Sequence, residues 1–387
     1  MNNKLAEKLK ILIITYTLEV GGAERVAVSI AKGLNKSKFE PIFCCFKGGV
    51  LEKDLREHGI SVFNLNKSSG FDLSVLIKLL KLIKEKKIDI IHTHSFSPNL
   101  WGRLAGIIGR VPVIISTEHS VASVKTIFQK KADKILAKYS SKIVSVSDRV
   151  KLSLCEEENI SPDKILTIYN GIDPMKPSSN KEAISKKNEG LGIDLNKKII
   201  VSIGRLEPPK GYEFLLESAK TVKREFPPIQ FVIVGEGSLR YKLEKLRDDL
   251  KLRDTVIFLG HRNDIADILS ISDIAALPSV REGFSVSLLE FMSLGKPIIA
   301  TDVGGNNEAV INGESGIIIP PMDPIALTQG ILKLIQENNT AEDMGMRAME
   351  RFKENFTLQT MIQEIEKLYD TLFYLETYSD SKQMQRV

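Results

Sequence analysis

Cysteine is scarce in this chain of 387 residues: there are three, of which Cys44 and Cys45 are adjacent and Cys155 stands far away. They supply neither a disulfide framework nor a Cys/His metal spacing, and they read as core thiols of a protein kept in a reducing, cytoplasmic compartment. There is one tryptophan, and aromatics near the lysine-rich stretches are few, so the stacking platform of a nucleic-acid binder is missing. No uninterrupted apolar run reaches the roughly 18 residues of a membrane span. The opening MNNKLAEKLKILIITYTL sets lysines before an apolar stretch, as a secretion signal does, but the stretch is short and no small-residue cleavage site precedes EVGGAERVA. It is read as a first buried strand.

What is present is enough for more than one core. Hydrophobic residues make up 43% of the chain and charged ones 27%, which at this length predicts two domains. Short β-rich runs (KILIITYT, EPIFCCF, DIIHTHS, VPVIISTEH, KIVSVS) alternate with stretches of helical period, the pattern of a parallel sheet with crossover helices. The second half repeats it with KIIVSIG, IQFVIVG, TVIFLG, IAALPS, KPIIAT and GIIIP. Between the halves DPMKPSSNKEAISKKNEGLGIDLNKK, rich in Pro, Ser, Lys and Asn, reads as a linker. The expectation is an α/β protein of two Rossmann-like domains facing each other across a cleft. The first spans 1–175, with a C-terminal helix near 370–387 packing back on it, and the second spans 176–369.

Charge is uneven. Residues 1–176 carry a net +10 and the remainder −5. Much of the excess lies at Lys78, Lys81, Lys84, Lys86 and Lys87 and at Lys130, Lys131, Lys134 and Lys138, recurring beside apolar residues such as Phe128 as on amphipathic helices. A solvated helix face accounts for them as well as a peripheral contact with the anionic inner face of a membrane does.

In parallel sheets ligands sit at the carboxyl ends of the strands, so the strand-to-helix turns are where chemistry is sought. Gly21 and Gly22 follow the first strand and allow close backbone approach, though a plain tight turn explains them equally. Arg205 and Lys210 flank a turn ahead of a helix; a lysine at the positive end of a helix dipole is disfavoured unless an anion offsets it. In REGFSVSLLEFMSLGKPIIATDVGGNNE a helix is predicted to start near Ser285. The N–H groups of Phe284, Ser285 and Val286 would then form an anion site, and Ser287, Glu290 and Ser293 a polar stripe. Glu290 sits about 7 to 8 Å along the axis from Ser285, the step from a nucleotide's phosphates to its ribose. Glu282, before the helix, is expected to meet sugar hydroxyls. His119 ends a strand, and His261, in the turn after VIFLG, is assigned to a base pocket. His92 and His94 alternate along one strand, so only one of them is expected to face the ligand. VGEGSLR begins like a dinucleotide fingerprint but has Arg240 at the third glycine position.

The E-x7-E pair Glu282 and Glu290, with SIGRLEPPKG, FVIVGEGSLR, VIFLGHRND and LGKPIIATDVGGNNE around it, resembles the retaining GT-B glycosyltransferases of family 4; GGAE, HTHS, STEHS and YNGID extend the likeness into the first half. The resemblance implies a nucleotide-diphosphate-sugar donor held mainly by the C-terminal domain and an acceptor, saccharide or lipid-linked, held mainly by the N-terminal one. It implies that Arg205 and Lys210 bind the diphosphate, Glu290 the ribose and Glu282 the transferred sugar, with Gly22, Gly235, Gly283, Phe284, Ser285 and Val286 lining the donor site and His119 near the reacting centre. Ser285 stands where many members carry Gly or Pro. No D-x-D triplet, the usual metal-holding device of the other large glycosyltransferase architecture, occurs in the chain, and cations with helix N–H groups are suitable stabilisers of a leaving diphosphate. Neither metal nor further cofactor is expected. The alternatives on this scaffold are a non-catalytic nucleotide-sugar-binding protein and a nucleotide-sugar epimerase.

Overall fold

In a computed structural model the chain forms two α/β units, residues 1–171 with 358–387, and residues 172–357. The structure describes residues 7–179, 184 and 190–384, with side chains to 375. Residues 180–183 and 185–189 of the expected linker, and 385–387 of the expected return helix, lie outside the described residues.

In the first unit β1 (Leu9–Thr15), β2 (Phe39–Cys45), β3 (Ser61–Asn64), β4 (Ile90–His94), β5 (Val113–Glu118), β6 (Lys142–Ser145) and β7 (Ile165–Thr167) alternate with α1 (Gly22–Gly33), α2 (Leu51–Glu57), α3 (Leu73–Lys86), α4 (Phe96–Ile108), α5 (Ile127–Ala137) and α6 (Asp148–Glu158). The strands pair in the order β3-β2-β1-β4-β5-β6-β7, and β1 runs parallel to both β2 and β4. Strands covered on both faces are apolar throughout rather than alternating. Accordingly Ile11, Leu12, Ile13 and Ile14 of β1 are all fully buried.

The C-terminal helix belongs to this unit and begins at Leu358, not near 370. Its start is hidden in the sequence because the preceding helix ends at Asn355 and the step through Phe356 and Thr357 carries neither Gly nor Pro. Met361, Ile362, Ile365, Leu368, Tyr369 and Leu372 form its buried stripe at helical spacing. Gly33 of α1 admits it, since a Cβ there would lie 2.8 Å from Ile362. The Tyr369 hydroxyl meets His92 Nδ1 at 2.7 Å inside the core.

In the second unit β8 (Lys198–Ile203), β9 (Ile229–Val234), β10 (Val256–Gly260), β11 (Ile274–Leu277), β12 (Ile298–Thr301) and β13 (Ile317–Ile319) alternate with α7 (Tyr212–Glu225), α8 (Arg240–Asp249), α9 (Ile265–Ile271), α10 (Val286–Ser293), α11 (Asn306–Ala309), α12 (Pro324–Gln336) and α13 (Asn338–Asn355). The order is β10-β9-β8-β11-β12-β13. Both units are therefore Rossmann-like, and in each the chain starts one side of the sheet, returns to the first strand and builds the other side. The switch points lie between β1 and β4 and between β8 and β11, where crevices open at the carboxyl ends of the strands. Among the described residues no helix is long and apolar enough to cross a membrane.

Tyr369→Phe removes one partner of a buried pair and leaves His92 Nδ1 without it, at a cost of about 1 to 3 kcal/mol. A fall in melting temperature of several degrees in calorimetry is expected; an unchanged value would mean that the return helix is held by its apolar stripe alone.

Candidate functional site

The β8–β11 switch point brings together residues 72 positions apart. The turn after β8 runs through Gly204 and Arg205 into a short 3-10 turn, Pro208–Lys210, and Gly211 at φ +65°. The loop after β11 bonds to it along the backbone, Val280 N–H donating to the Pro209 carbonyl at 2.8 Å and Arg281 N–H to the same oxygen at 3.2 Å. Gly211 is required by this approach, because a Cβ there would lie 2.2 Å from the Pro278 carbonyl oxygen. The result is an ion pair, Lys210 Nζ to Glu282 Oε1 at 2.5 Å, with the Ser279 hydroxyl donating to the same Oε1 at 2.7 Å. Arg205 beside it is exposed, with no carboxylate in salt-bridge range among the described residues.

The Gly304–Gly305 turn that follows β12 supports the Glu282 loop. Gly304, at φ +54°, would place a Cβ 2.4 Å from the Glu282 carbonyl oxygen, and the Gly305 N–H donates to the Gly283 carbonyl at 2.8 Å. Helix α10 then starts at Val286 with Ser285 as its cap, the hydroxyl accepting from Leu288 N–H at 3.4 Å. The first-turn amides of Val286 and Ser287 have no intrahelical acceptor, which makes this end electropositive. Phe284 contributes only backbone here: its ring is buried and packs on Phe356 at 5.4 Å between centroids. Glu290 is buried in α10, at 2% exposure, so this carboxylate is no surface glutamate.

Gly235 serves the scaffold. At φ +140° its absent side chain lets the β9 loop close on the β8 loop, where a Cβ would be 2.0 Å from the Gly204 carbonyl oxygen. His261 is exposed in the turn after β10, next to the bidentate Arg262–Asp264 pair at 2.9 and 2.7 Å. Arg205, Lys210, Gly235, His261 and Glu282 thus all lie at the carboxyl end of one sheet.

In the first unit Gly22 opens α1 behind the loop from β1, and three histidines meet at the ends of β4 and β5. The expectation that only one of His92 and His94 faces a given side is overturned: residues i and i+2 of a strand share a face, and the rings lie 4.5 Å apart. His94 Nδ1 is 3.0 Å from His119 Nε2, the rings stacked at 5.2 Å. His92 is bonded at both nitrogens, to Tyr369 and, at 2.6 Å, to the Thr117 hydroxyl. Burial pushes His92 down to about 3 and His119 down to about 4, and it lowers His94 too, with His92 and His119 adding to the effect. All three are neutral near pH 7, so they act as hydrogen-bonding groups rather than cations.

A buried ion network that the sequence does not announce anchors the segment after His119. Lys125 pairs with Glu118 at 2.9 Å, Asp133 at 2.7 Å and Glu158 at 2.9 Å, and Arg103 pairs with Asp133. Burial opposes the Lys125 charge, but the three carboxylates outweigh it and its pKa is raised. Spaced at positions 103, 118, 125, 133 and 158, these residues give no local signal.

Buried neutral histidines impose a pH dependence. The unfolded chain takes up protons near 6.5 that the fold refuses until about 4 for His119 and about 3 for His92. Their contribution to stability is complete above about pH 6.5 and is lost as pH falls, at about 1.4 kcal/mol per pH unit for each ring. Calorimetry from pH 7 to 4.5 should show a falling melting temperature, with a shallower slope in His94→Asn; equal slopes would contradict the burial assigned to His94.

Residues 183–351 match the model of glycosyl transferases group 1, and residues 20–176 match that of glycosyltransferase family 4. The chain is 30% identical over 378 residues to UDP-Gal:alpha-D-GlcNAc-diphosphoundecaprenol alpha-1,3-galactosyltransferase of Escherichia coli, covering 94% of this chain and 97% of that one. A glycosyltransferase from Rickettsia africae superposes with TM-score 0.83 at 27% identity over 94% and 98% of the two chains. Alr3699/HepE of Anabaena, solved with UDP-glucose, superposes with TM-score 0.85 at 23% identity over 94% and 100%. With two Rossmann-like units that carry its motifs at their switch points, the chain belongs to the group 1, family 4 glycosyltransferases of the GT-B fold.

Proposed function

We propose that this glycosyltransferase acts with retention, moving a sugar from a nucleoside-diphosphate sugar, UDP being the favoured nucleotide, to a lipid-linked or saccharide acceptor in the assembly of a bacterial surface glycan. The Lys210–Glu282 pair carries the reading. It sits where the two switch-point loops of the second unit are stitched together, beside exposed Arg205 and in the loop that leads into α10. A donor diphosphate takes Lys210 and Arg205 as its counter-ions, with first-turn amides of α10 completing the set. Lys210 leaves Glu282 for the phosphate, and Glu282 turns to the hydroxyls of the transferred sugar. Glu290 receives the ribose diol, and His261 borders the base.

In the transfer itself the bond from C1 to the phosphate oxygen breaks, a bond from C1 to the acceptor oxygen forms on the same face, and the acceptor's proton passes to the leaving phosphate. Protein cations stabilise that phosphate, so no metal is called for. UDP is favoured because the Escherichia coli relative is named for a UDP-sugar and the Anabaena structure holds UDP-glucose. The lipid-linked acceptor likewise follows the name of the Escherichia coli relative.

The experiment is nucleotide release from a panel of UDP-, GDP- and ADP-sugars, in EDTA, with and without a diphosphoundecaprenol-linked sugar. Release that needs the acceptor and survives chelation is expected. Release without acceptor would favour an epimerase or hydrolase, and binding without release a non-catalytic protein. Glu282→Gln should bind the free nucleoside diphosphate more tightly, because Lys210 loses its resident counter-ion, yet transfer about 10²-fold more slowly or worse, by analogy with the loss of one preorganised group. Weaker diphosphate binding in Glu282→Gln would refute the exchange.

The acceptor side is assigned to the membrane surface through α5. Ile127 and Phe128 are 75% and 73% exposed, and Ile135 is exposed on the same helix together with Lys131 and Lys134, with Lys138 exposed just past its end. Three other lysines of the basic stretches are engaged within the unit: Lys130 pairs with Glu157 at 2.6 Å, Lys78 donates to the Leu65 carbonyl at 2.6 Å, and Lys86 lies over the Phe63 ring. Each surface lysine near an anionic leaflet adds roughly 1 kcal/mol, and apolar side chains dip into the interface. Flotation with anionic vesicles at low salt and release near ~0.5 M salt are expected, with loss of flotation in a chain carrying Ile127→Ser and Phe128→Ser; unchanged flotation of that variant would remove α5 from the contact.

A further inference from the structure

We propose that His94 is a positioning residue that fixes His119 in its Nδ1–H tautomer, so that His119 presents a hydrogen-bond donor to the bound substrate. The inference rests on the glycosyl-transfer reading for its consequence, but its structural half does not.

His94 Nδ1 and His119 Nε2 are 3.0 Å apart, and both rings are neutral because burial lowers them. One nitrogen of the pair therefore carries the hydrogen and the other the lone pair. If His119 donated from Nε2, the single proton of His94 would sit on its own Nε2. That atom is buried and has no hydrogen-bond partner among the described residues. If His94 donates from Nδ1, the same Nε2 carries only a lone pair. Buried N–H groups without an acceptor are rarer and costlier than buried acceptors without a donor. The second arrangement is selected, and it leaves the His119 proton on Nδ1, the nitrogen that bonds to no described residue.

His94 is held so that it cannot turn away from this task. Its other flank is covered by His92, which is fixed at both nitrogens by Tyr369 and Thr117. The next residue, Ser95, has φ +72° and ψ 160°, a backbone region otherwise almost restricted to glycine, and such conformations persist where the surrounding structure over-determines them. His119 follows the end of β5 and is partly exposed, so its Nδ1–H is available to a hydroxyl or other oxygen of the substrate. With Nε2 engaged and Nδ1 protonated, His119 donates a hydrogen bond and takes no proton from the acceptor; no proton moves in the assignment.

The test reads the tautomer directly. In long-range 1H–15N spectra of histidine-labelled protein, with five histidines in the chain and the His119→Gln variant to assign the signal, wild-type His119 is expected to show a protonated Nδ1 and an unprotonated Nε2. His94→Asn, whose side-chain amide can stand in for the Nδ1–H donor, should keep that pattern; His94→Leu should lose it. Correspondingly kcat should fall about tenfold in His94→Leu, the loss of one oriented hydrogen bond, with KM for the nucleotide-sugar unchanged, and His94→Asn should recover most of it. An Nε2–H His119 in the wild type, or equal kcat in the two variants, would overturn the proposal; if the leucine variant does not fold, the wild-type tautomer alone decides it. Failure of the transfer reading would appear separately, as a wild-type protein that shows the Nδ1–H tautomer and no turnover.

Discussion

The constraint from which the rest follows is the reversal of strand order at the first strand of each sheet. A right-handed crossover to one side of a strand lays its helix on one face of the sheet and a crossover to the other side lays it on the opposite face, so where the order reverses at β1 or β8 the flanking helices part. Two loops then approach with no helix between them. In the second unit these are the loops after β8 and β11, and their contact is backbone against backbone, which is why Gly211 lies 2.2 Å, in virtual Cβ distance, from the Pro278 carbonyl oxygen. Everything that the family motifs contribute to this unit hangs on loops brought to that one edge.

The two units use their switch points differently. The second concentrates charge: Lys210 and Glu282 pair across loops that lead into α7 and α10, with Arg205 exposed on the Lys210 loop, and a helix N-terminus has an anion as its natural complement. The first withdraws charge. Its three histidines are kept neutral by burial, while the ions of that region, Lys125 with Glu118, Asp133 and Glu158, are sequestered and paired with one another. On the proposed reading a phosphate leaving group and a hydroxyl nucleophile suit this division, since one develops negative charge and the other needs orientation more than a counter-ion.

Much of this was legible in the sequence, and the limits have physical causes. The alternation of apolar runs and helical stretches predicted both sheets because strands covered on two faces have no other composition available to them. Lys210 and Glu290 were legible because each breaks a local rule, a cation before a helix and a carboxylate inside an apolar one, and the cap at Ser285 because a serine stands just ahead of that apolar run. The histidine cluster was misread by an error of periodicity, since i and i+2 share a face. Tyr369 could not be linked to His92, nor Lys125 to Glu158, because contacts between distant segments leave no mark in either one. Ser95 gave no signal either; only glycine advertises a positive φ.

The lysine stretches show the same limit from the other side. Periodicity groups Lys130, Lys131, Lys134 and Lys138 as one basic face, but the helix surface is divided by what lies beside it, and Lys130 is drawn to Glu157 of α6. What remains outward is a smaller set of cations around exposed Ile127, Phe128 and Ile135. Solvent alone gives no reason to keep three large apolar side chains on the open face of a helix that already has a buried side in Leu136 and Ala137. An interface that is apolar at its centre and anionic at its rim does, and on the proposed reading the acceptor's own lipid lies in such an interface.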